Sequence, residues 1–197
     1  MVKETRHVLK FTDIAGLLSF YENRMSFERE DYDPKAQYLS RTRKHKHEDY
    51  NRIKEMEEHP YDREAVLKYI AQVRNSGGFD VDVRIPSWLH TGFVYFFPVP
   101  SPNSRDFVFK LAQLAIDEIN VDMKSESFEL VEVVKAVTTK ACYGLVYLTL
   151  AVKKVGEEAT ITIQAIVSSP WIGHGSRELR QWRIKPDAEP PAVVVEP

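Results

Sequence analysis

The spacing of apolar positions changes along the chain, and the changes mark out its parts. In residues 61–78, YDREAVLKYIAQVRNSGG, the positions Ala65, Val66, Tyr69, Ile70 and Val73 recur at three- and four-residue intervals, which predicts an amphipathic helix. Pro60 stands just ahead, where a helix start tolerates it, and Gly77 offers a left-handed stop. From Phe79 the segment FDVDVRI alternates apolar and polar residues. TGFVYFFPVPSPN is then aromatic and β-rich until Pro98, Pro100 and Pro102 interrupt it. Next comes RDFVFKLAQLAIDEIN, in which Phe107, Val108, Leu111, Leu114, Ala115 and Ile119 fall on one helical face, with Ser104 as the expected N-cap of a helix over 104–120.

At Asn120 the period falls from 3.6 to 2. The runs FELVEVVKAVT, LVYLTLAVKK and ATITIQAIVSS are rich in β-branched and aromatic residues and predict strands at 128–138, 144–154 and 159–169. In the third, Ile161, Ile163, Ala165 and Val167 alternate with Thr160, Thr162, Gln164 and Ser168, the pattern of a sheet with one face buried. Val155, Gly156, Glu157 and Glu158 form the turn between the last two runs, and RELRQWRIK adds a further strand. The expected class is α+β, one long helix packed on an antiparallel sheet of about four to five strands.

Composition narrows the picture. The chain has 197 residues, 43% of them hydrophobic and 28% charged, which suits a globular protein of one or two domains. Charge is concentrated before residue 77. Three regions are expected: a charged, partly helical extension at 1–76, a compact domain at 77–188 and a Pro-rich flexible tail at 189–197. Between Glu28 and Glu58 the sequence is so polar that two readings stand, an exposed helix laced by charge pairs or a flexible segment. A formal charge of −2 gives no bulk attraction to nucleic acid or to an acidic membrane. No apolar run approaches the roughly 20 residues of a membrane span, and the first 20 residues, broken by Lys10 and Asp13, lack the form of a signal peptide. With one cysteine, Cys142, neither an intrachain disulfide nor a four-cysteine zinc site can be built. An intracellular protein, cytoplasmic or nuclear, is the expectation.

The candidate chemistry is sparse. The cluster RTRKHKH, Arg41 to His47, invites phosphate, but Glu48, Asp49, Glu55, Glu57 and Glu58 follow within a Debye length of about 8 Å, and a solvated face is the better expectation. His45 and His47 point apart on a helix and have no completing ligands. Cys142 has no flanking nucleophile signature, and neither His90 nor His174 is tied to it in sequence. The segment GHGS at 173–176 lacks the strand, serine and helix context of a serine nucleophile. No catalytic residue, metal or cofactor is expected.

Four stretches together resemble a known family. LAQLAIDEIN resembles the LARFAV-type helix signature of plant cystatins, inhibitors of papain-like cysteine proteases, departing from it at Gln113, Leu114 and Ile119. ELVEVVKAVTTKACYGLVYLTL is similar without gaps to the plant cystatin stretch that holds the Gln-x-Val-x-Gly loop, and AIVSSPW places Pro170 and Trp171 where those proteins carry a Pro-Trp second loop. RELRQWRIKPDA resembles their closing strand. The likeness spans about residues 104–187, and the charged extension ending in GGFDVD looks like that of the uncharacterised plant cystatin-related proteins. It implies a cystatin-like fold, with one helix on a curved sheet, and a protein partner such as a papain-like cysteine protease.

In that family inhibition is mechanical: a trunk with a flexible glycine and two hairpin loops form a wedge that fills the protease cleft. By the resemblance the first loop is Thr139, Lys140, Ala141, Cys142, Tyr143 and Gly144, with Thr139 in place of the glutamine, Ala141 of the valine and Tyr143 of the glycine. Tyrosine in a left-handed turn costs on the order of 1 to 2 kcal/mol, roughly a tenfold loss of affinity, although Gly144 could take the turn if the loop slips by one residue. The second loop is Pro170 and Trp171, where Trp171 has either a binding or a strand-end anchoring duty. Gly77 and Gly78 fit either the trunk or a helix stop. The implied function is protein binding with weak or no inhibition, and retained inhibition is the alternative.

Overall fold

The computed structural model describes residues 54–89, 96–123, 127–139, 143–170 and 176–185, the side chains of Ser87, Ser104, Tyr143 and Pro170 excepted. Residues 54–58 form a helical turn. Helix α1 spans Arg63–Ser76; Asp62 caps it by accepting the Ala65 N–H at 3.0 Å, and Gly77, at φ 64°, ends it in the left-handed conformation. Strand β1 is Phe96–Pro98, helix α2 is Asp106–Met123, and strands β2 to β5 are Phe128–Thr139, Tyr143–Lys154, Thr160–Pro170 and Glu178–Ile184. The five strands form one antiparallel sheet in chain order. The α+β class expected from periodicity is the class observed.

Helix α2 starts later and ends later than its pattern predicts. Pro102–Ser104 form a 3-10 turn, so Ser104 is not the cap; the Arg105 carbonyl accepts the first helical bonds, from Val108 and Phe109. Val108, Leu111, Ala112, Ala115, Ile116 and Ile119 are buried, and they pack with Val133, Ala136, Val146, Leu148, Leu150, Ile163, Ala165 and Val167 on one face of the sheet. Leu114 is partly buried beside this cluster, but Phe107 is 45% exposed, contrary to its place in the predicted stripe. The buried positions 108, 111, 112, 115, 116 and 119 centre the face elsewhere on the helix, and while its neighbour Val108 is buried, Phe107 lies at the margin. The guanidinium of Arg177 covers its ring at 5.4 Å from the centroid.

Successive strand residues point to opposite faces, so Val137, Tyr147 and Ile166 face away from α2. They are buried too, against Tyr69 and Val73 of α1 together with Phe79, Val81 and Phe96. The one-sided sheet expected from the alternation in β4 is therefore corrected: Gln164, Ile166 and Ser168 are as deeply buried as Ile163, Ala165 and Val167. The apolar stripe of α1 thus docks on this face of the sheet. A smaller cluster of Met56, Val66, Trp88 and Leu89 extends the cover, and the Trp88 indole N–H donates to the His59 carbonyl at 2.9 Å.

The alternating segment FDVDVRI is not a strand: residues 79–85 lie outside the sheet's ladder. Their alternation is real, with Val81 buried and Asp82 exposed, but the segment crosses the second sheet face without joining its ladder. Backbone donors find side chains instead: Ser76 Oγ accepts from Asp80 N, and the Gln72 amide oxygen accepts from both Asp82 N and Val83 N. Asp80 reaches Lys185 at 3.1 Å and Asp82 reaches Lys135 at 2.6 Å, which ties the strap to β2 and to the end of β5.

Candidate functional site

In a sheet whose strands follow chain order, alternate turns lie at the same end. The β2–β3 and β4–β5 connections therefore share one end of the molecule, and Val155 to Glu158 turn at the other. Adjacent register brings the two shared connections side by side: Tyr143 pairs with Pro170 and Gly144 with Ser169. Thus the structure assembles at one end the bases of both loops that the sequence singles out, although Tyr143 and Pro170 stand 27 positions apart in the chain. Lys140, Ala141, Cys142 and Trp171 lie outside the described residues, as do His45, His47, His90, His174 and the Arg41 to His47 cluster.

Thr139 ends β2 with no exposed surface. Its hydroxyl accepts the Leu145 N–H at 3.1 Å and lies 3.3 Å from the Leu145 carbonyl as donor, closing the hairpin from within. The side chain is committed to the base of the hairpin. Tyr143 is the first residue of β3 rather than a turn residue, so the left-handed strain expected of it is not located there. Nor does Gly144 take the turn by slippage: it is a buried strand residue and is not among the glycines with positive φ.

Gly77 and Gly78 have local duties. Gly77 is the stop of α1, its N–H bonded to the Val73 carbonyl. Gly78, at φ 93°, is buried, and a Cβ placed on it would run into the ring of Phe96. Phe96 pairs in turn with Thr139, so the α1 stop abuts the base of the first loop. The ring of Phe96 also meets Tyr147 edge-on at 5.2 Å, and Phe79 meets Tyr147 at the same separation. Burial in this aromatic nest pushes the Tyr147 phenol up to about 12, because the charged form has no water to solvate it.

Sequence reasoning missed two neighbours of this end. Arg177, just before β5, reaches back over Phe107, so the first turn of α2 stands beside the second connection; neither residue type nor spacing announces that contact. The second is Ser168, whose hydroxyl donates to the Glu178 carbonyl at 3.3 Å at the root of the same connection. Among the described residues no group of three or more His, Cys, Asp or Glu side chains is placed to hold a metal. No helix among them is long and apolar enough to cross a membrane. No protein-family model, no curated protein and no solved structure matches the chain.

Proposed function

We propose that the chain is a cystatin-fold protein-binding module related to cysteine protease inhibitors, with a degenerate first loop and weak or no inhibition. The observation that carries this reading is the pairing of Tyr143 with Pro170, which sets the roots of the two expected loops side by side at one end of the sheet. Two further features support it. The order β1, α2, β2 to β5, with one helix across one face of a sequentially ordered antiparallel sheet, agrees with the architecture the resemblance implies. The resemblance in residues 104–187 runs through the same elements.

In this reading the module acts as a shape. Strands β2 to β5 are a rigid support, the paired loops are the contact, and no bond is made or broken, so no residue is catalytic and no cofactor takes part. The cleft of a papain-like protease is the partner implied by the resemblance, and nucleic acid and membrane are not. Gly78 is buried under Phe96 and Gly77 ends a helix that docks on the sheet; the binding surface is therefore assigned to the loops, and the trunk is left out of it.

The test is a papain inhibition titration of the full chain and of a variant carrying Thr139→Gln, Ala141→Val and Tyr143→Gly. Weak or absent inhibition by the full chain, with a gain in the variant, is expected. Nanomolar inhibition by the unaltered chain would make it a functional inhibitor instead. Because Thr139 closes its own hairpin, a second variant that keeps it and carries only Ala141→Val and Tyr143→Gly separates loop chemistry from a loosened hairpin.

A further inference from the structure

The two edges of the sheet are treated differently. Along β2 the outward backbone groups are covered. Strand β1 pairs with residues 137–139, and Val99 N–H donates to the Ala136 carbonyl at 2.8 Å. Asn103 then imitates a strand: its amide nitrogen donates to the Val133 carbonyl at 3.0 Å and its oxygen accepts the Val133 N–H at 2.8 Å. Asn120 does the same for Phe128, at 3.0 and 2.7 Å. Two bulges, at Val131 and Val134, break the edge further. An edge so covered cannot accept another strand.

The β5 edge has no such cover among the described residues. Strand β5 pairs only with β4. The Lys185 N–H donates to the Thr162 carbonyl. By the alternation of an antiparallel ladder, the main-chain groups of Ile184 and Trp182 point away from β4. The Ile184 side chain, paired with Ile163, is 52% exposed at the same place. A strand of about five residues with apolar side chains fits this edge.

The sequence carries one at hairpin distance. After Lys185 come PDAEPPAVVVEP, in which Ala192, Val193, Val194, Val195 and Glu196 are five residues free of proline, three of them β-branched. Pro190 and Pro191 precede the run, where a strand tolerates them. A tethered segment sees its site at an effective concentration in the millimolar range, ahead of any second copy of the chain.

We propose that residues 192–196 add to the outer edge of β5 as a sixth, antiparallel strand, so that the stretch expected from composition to be a flexible tail seals the open edge. The bonds would run to Ile184 and Trp182. Sealing leaves the loop end as the exposed contact surface, but the inference stands apart from the proposed function and needs no protease.

Hydrogen exchange on the full chain tests it, reading the amides of Trp182 and Ile184, with the amides of Leu148 and Leu150 reporting global stability. The comparison is with Val194→Pro and with a chain ending at Asp187. Expected is protection of both edge amides in the full chain, independent of concentration and falling by about tenfold or more in both variants while the core amides hold. Exchange equally fast in all three chains would overturn it. So would protection that survives truncation or rises with protein concentration, the latter meaning that a second copy occupies the edge. If the core amides also lose protection, the ratio of edge to core exchange decides: an unchanged ratio counts against the sixth strand.

Discussion

The two faces of the sheet are buried to similar depth by different means. Under α2 the contact is a single apolar layer, with Leu111, Ile116, Ile119, Leu148, Leu150 and Ile163 almost wholly removed from water. On the other face an apolar patch of Val137, Tyr147 and Ile166 lies beside a polar row that register sets across the strands: Lys135, Thr149, Gln164 and Arg183. Arg183 donates twice to the Gln164 amide oxygen, at 2.9 and 2.7 Å, and lies 5.6 Å from the centroid of the Phe79 ring. The first face needs only a helix with the right period. The second needs a strap with its own bonding partners, because buried polar groups cost free energy unless they are paired.

Removing the whole second cover is the largest test of that comparison. Deleting residues 1–85 strips α1 and the strap from Val137, Tyr147 and Ile166, and the chemical unfolding transition should lose more than about 5 kcal/mol or its cooperativity, since total stabilities are only about 5 to 15 kcal/mol. An unchanged midpoint would make the cover an ornament. The next step down compares single anchors. Phe79→Ala should cost about 3 to 5 kcal/mol and Leu111→Ala about 2 to 5 kcal/mol; a loss under about 1 kcal/mol at Phe79 alone would show that the strap does not share the core's cooperativity.

Tyr147 sharpens the comparison through pH. Its folded pKa is raised to about 12 from an ordinary value of 10. The stabilising contribution is therefore intact below pH 10, where the phenol is neutral in both states, and it is lost as pH rises through 12. Urea melts between pH 9 and 12 should show the native chain losing about 2 kcal/mol more than Tyr147→Phe; parallel curves for the two proteins would mean the nest admits water.

Two smaller effects separate the strap's fastenings. Gln72→Ala removes the acceptor for Asp82 N and Val83 N and should cost about 1 to 2 kcal/mol, with faster exchange of those two amides. Asp80→Asn breaks a half-exposed pair with Lys185 and should cost less than about 1 kcal/mol, with a dependence on salt. If Asp80→Asn costs more than Gln72→Ala, the charges and not the backbone bonds hold the strap.

Much of the first face was legible in the chain. The period of 3.6 located α2 to within three residues at each end, and the period of 2 located β2, β3 and β4, because side-chain direction in regular elements follows directly from backbone geometry. The error at Phe107 shows the limit: a stripe identifies residues on one broad face, but which of them lie at its centre and which at its margin depends on how the helix is rotated against the sheet. The candidate site, Thr139 to Gly144 with Pro170 and Trp171, comes from the resemblance and not from periodicity. The resemblance implies that the two loops form one wedge; periodicity alone does not, and it is the strand order that pairs Tyr143 with Pro170 at their roots.

The sequence by itself determined helices α1 and α2, strands β2 to β5, the stop at Gly77 and the class of the fold, all of which rest on residues close together in the chain. Only the tertiary structure decided that both faces of the sheet are covered, that FDVDVRI is a strap instead of a strand, and that Asn103 and Asn120 stand in for a neighbouring strand. These depend on which groups folding brings together, whether distant, as Asn103 with Val133, or nearer, as Asn120 with Phe128. A carboxamide or an alternating valine offers the same chemistry to solvent, to a ladder or to a sheet face, and only the groups that folding brings within reach select among them.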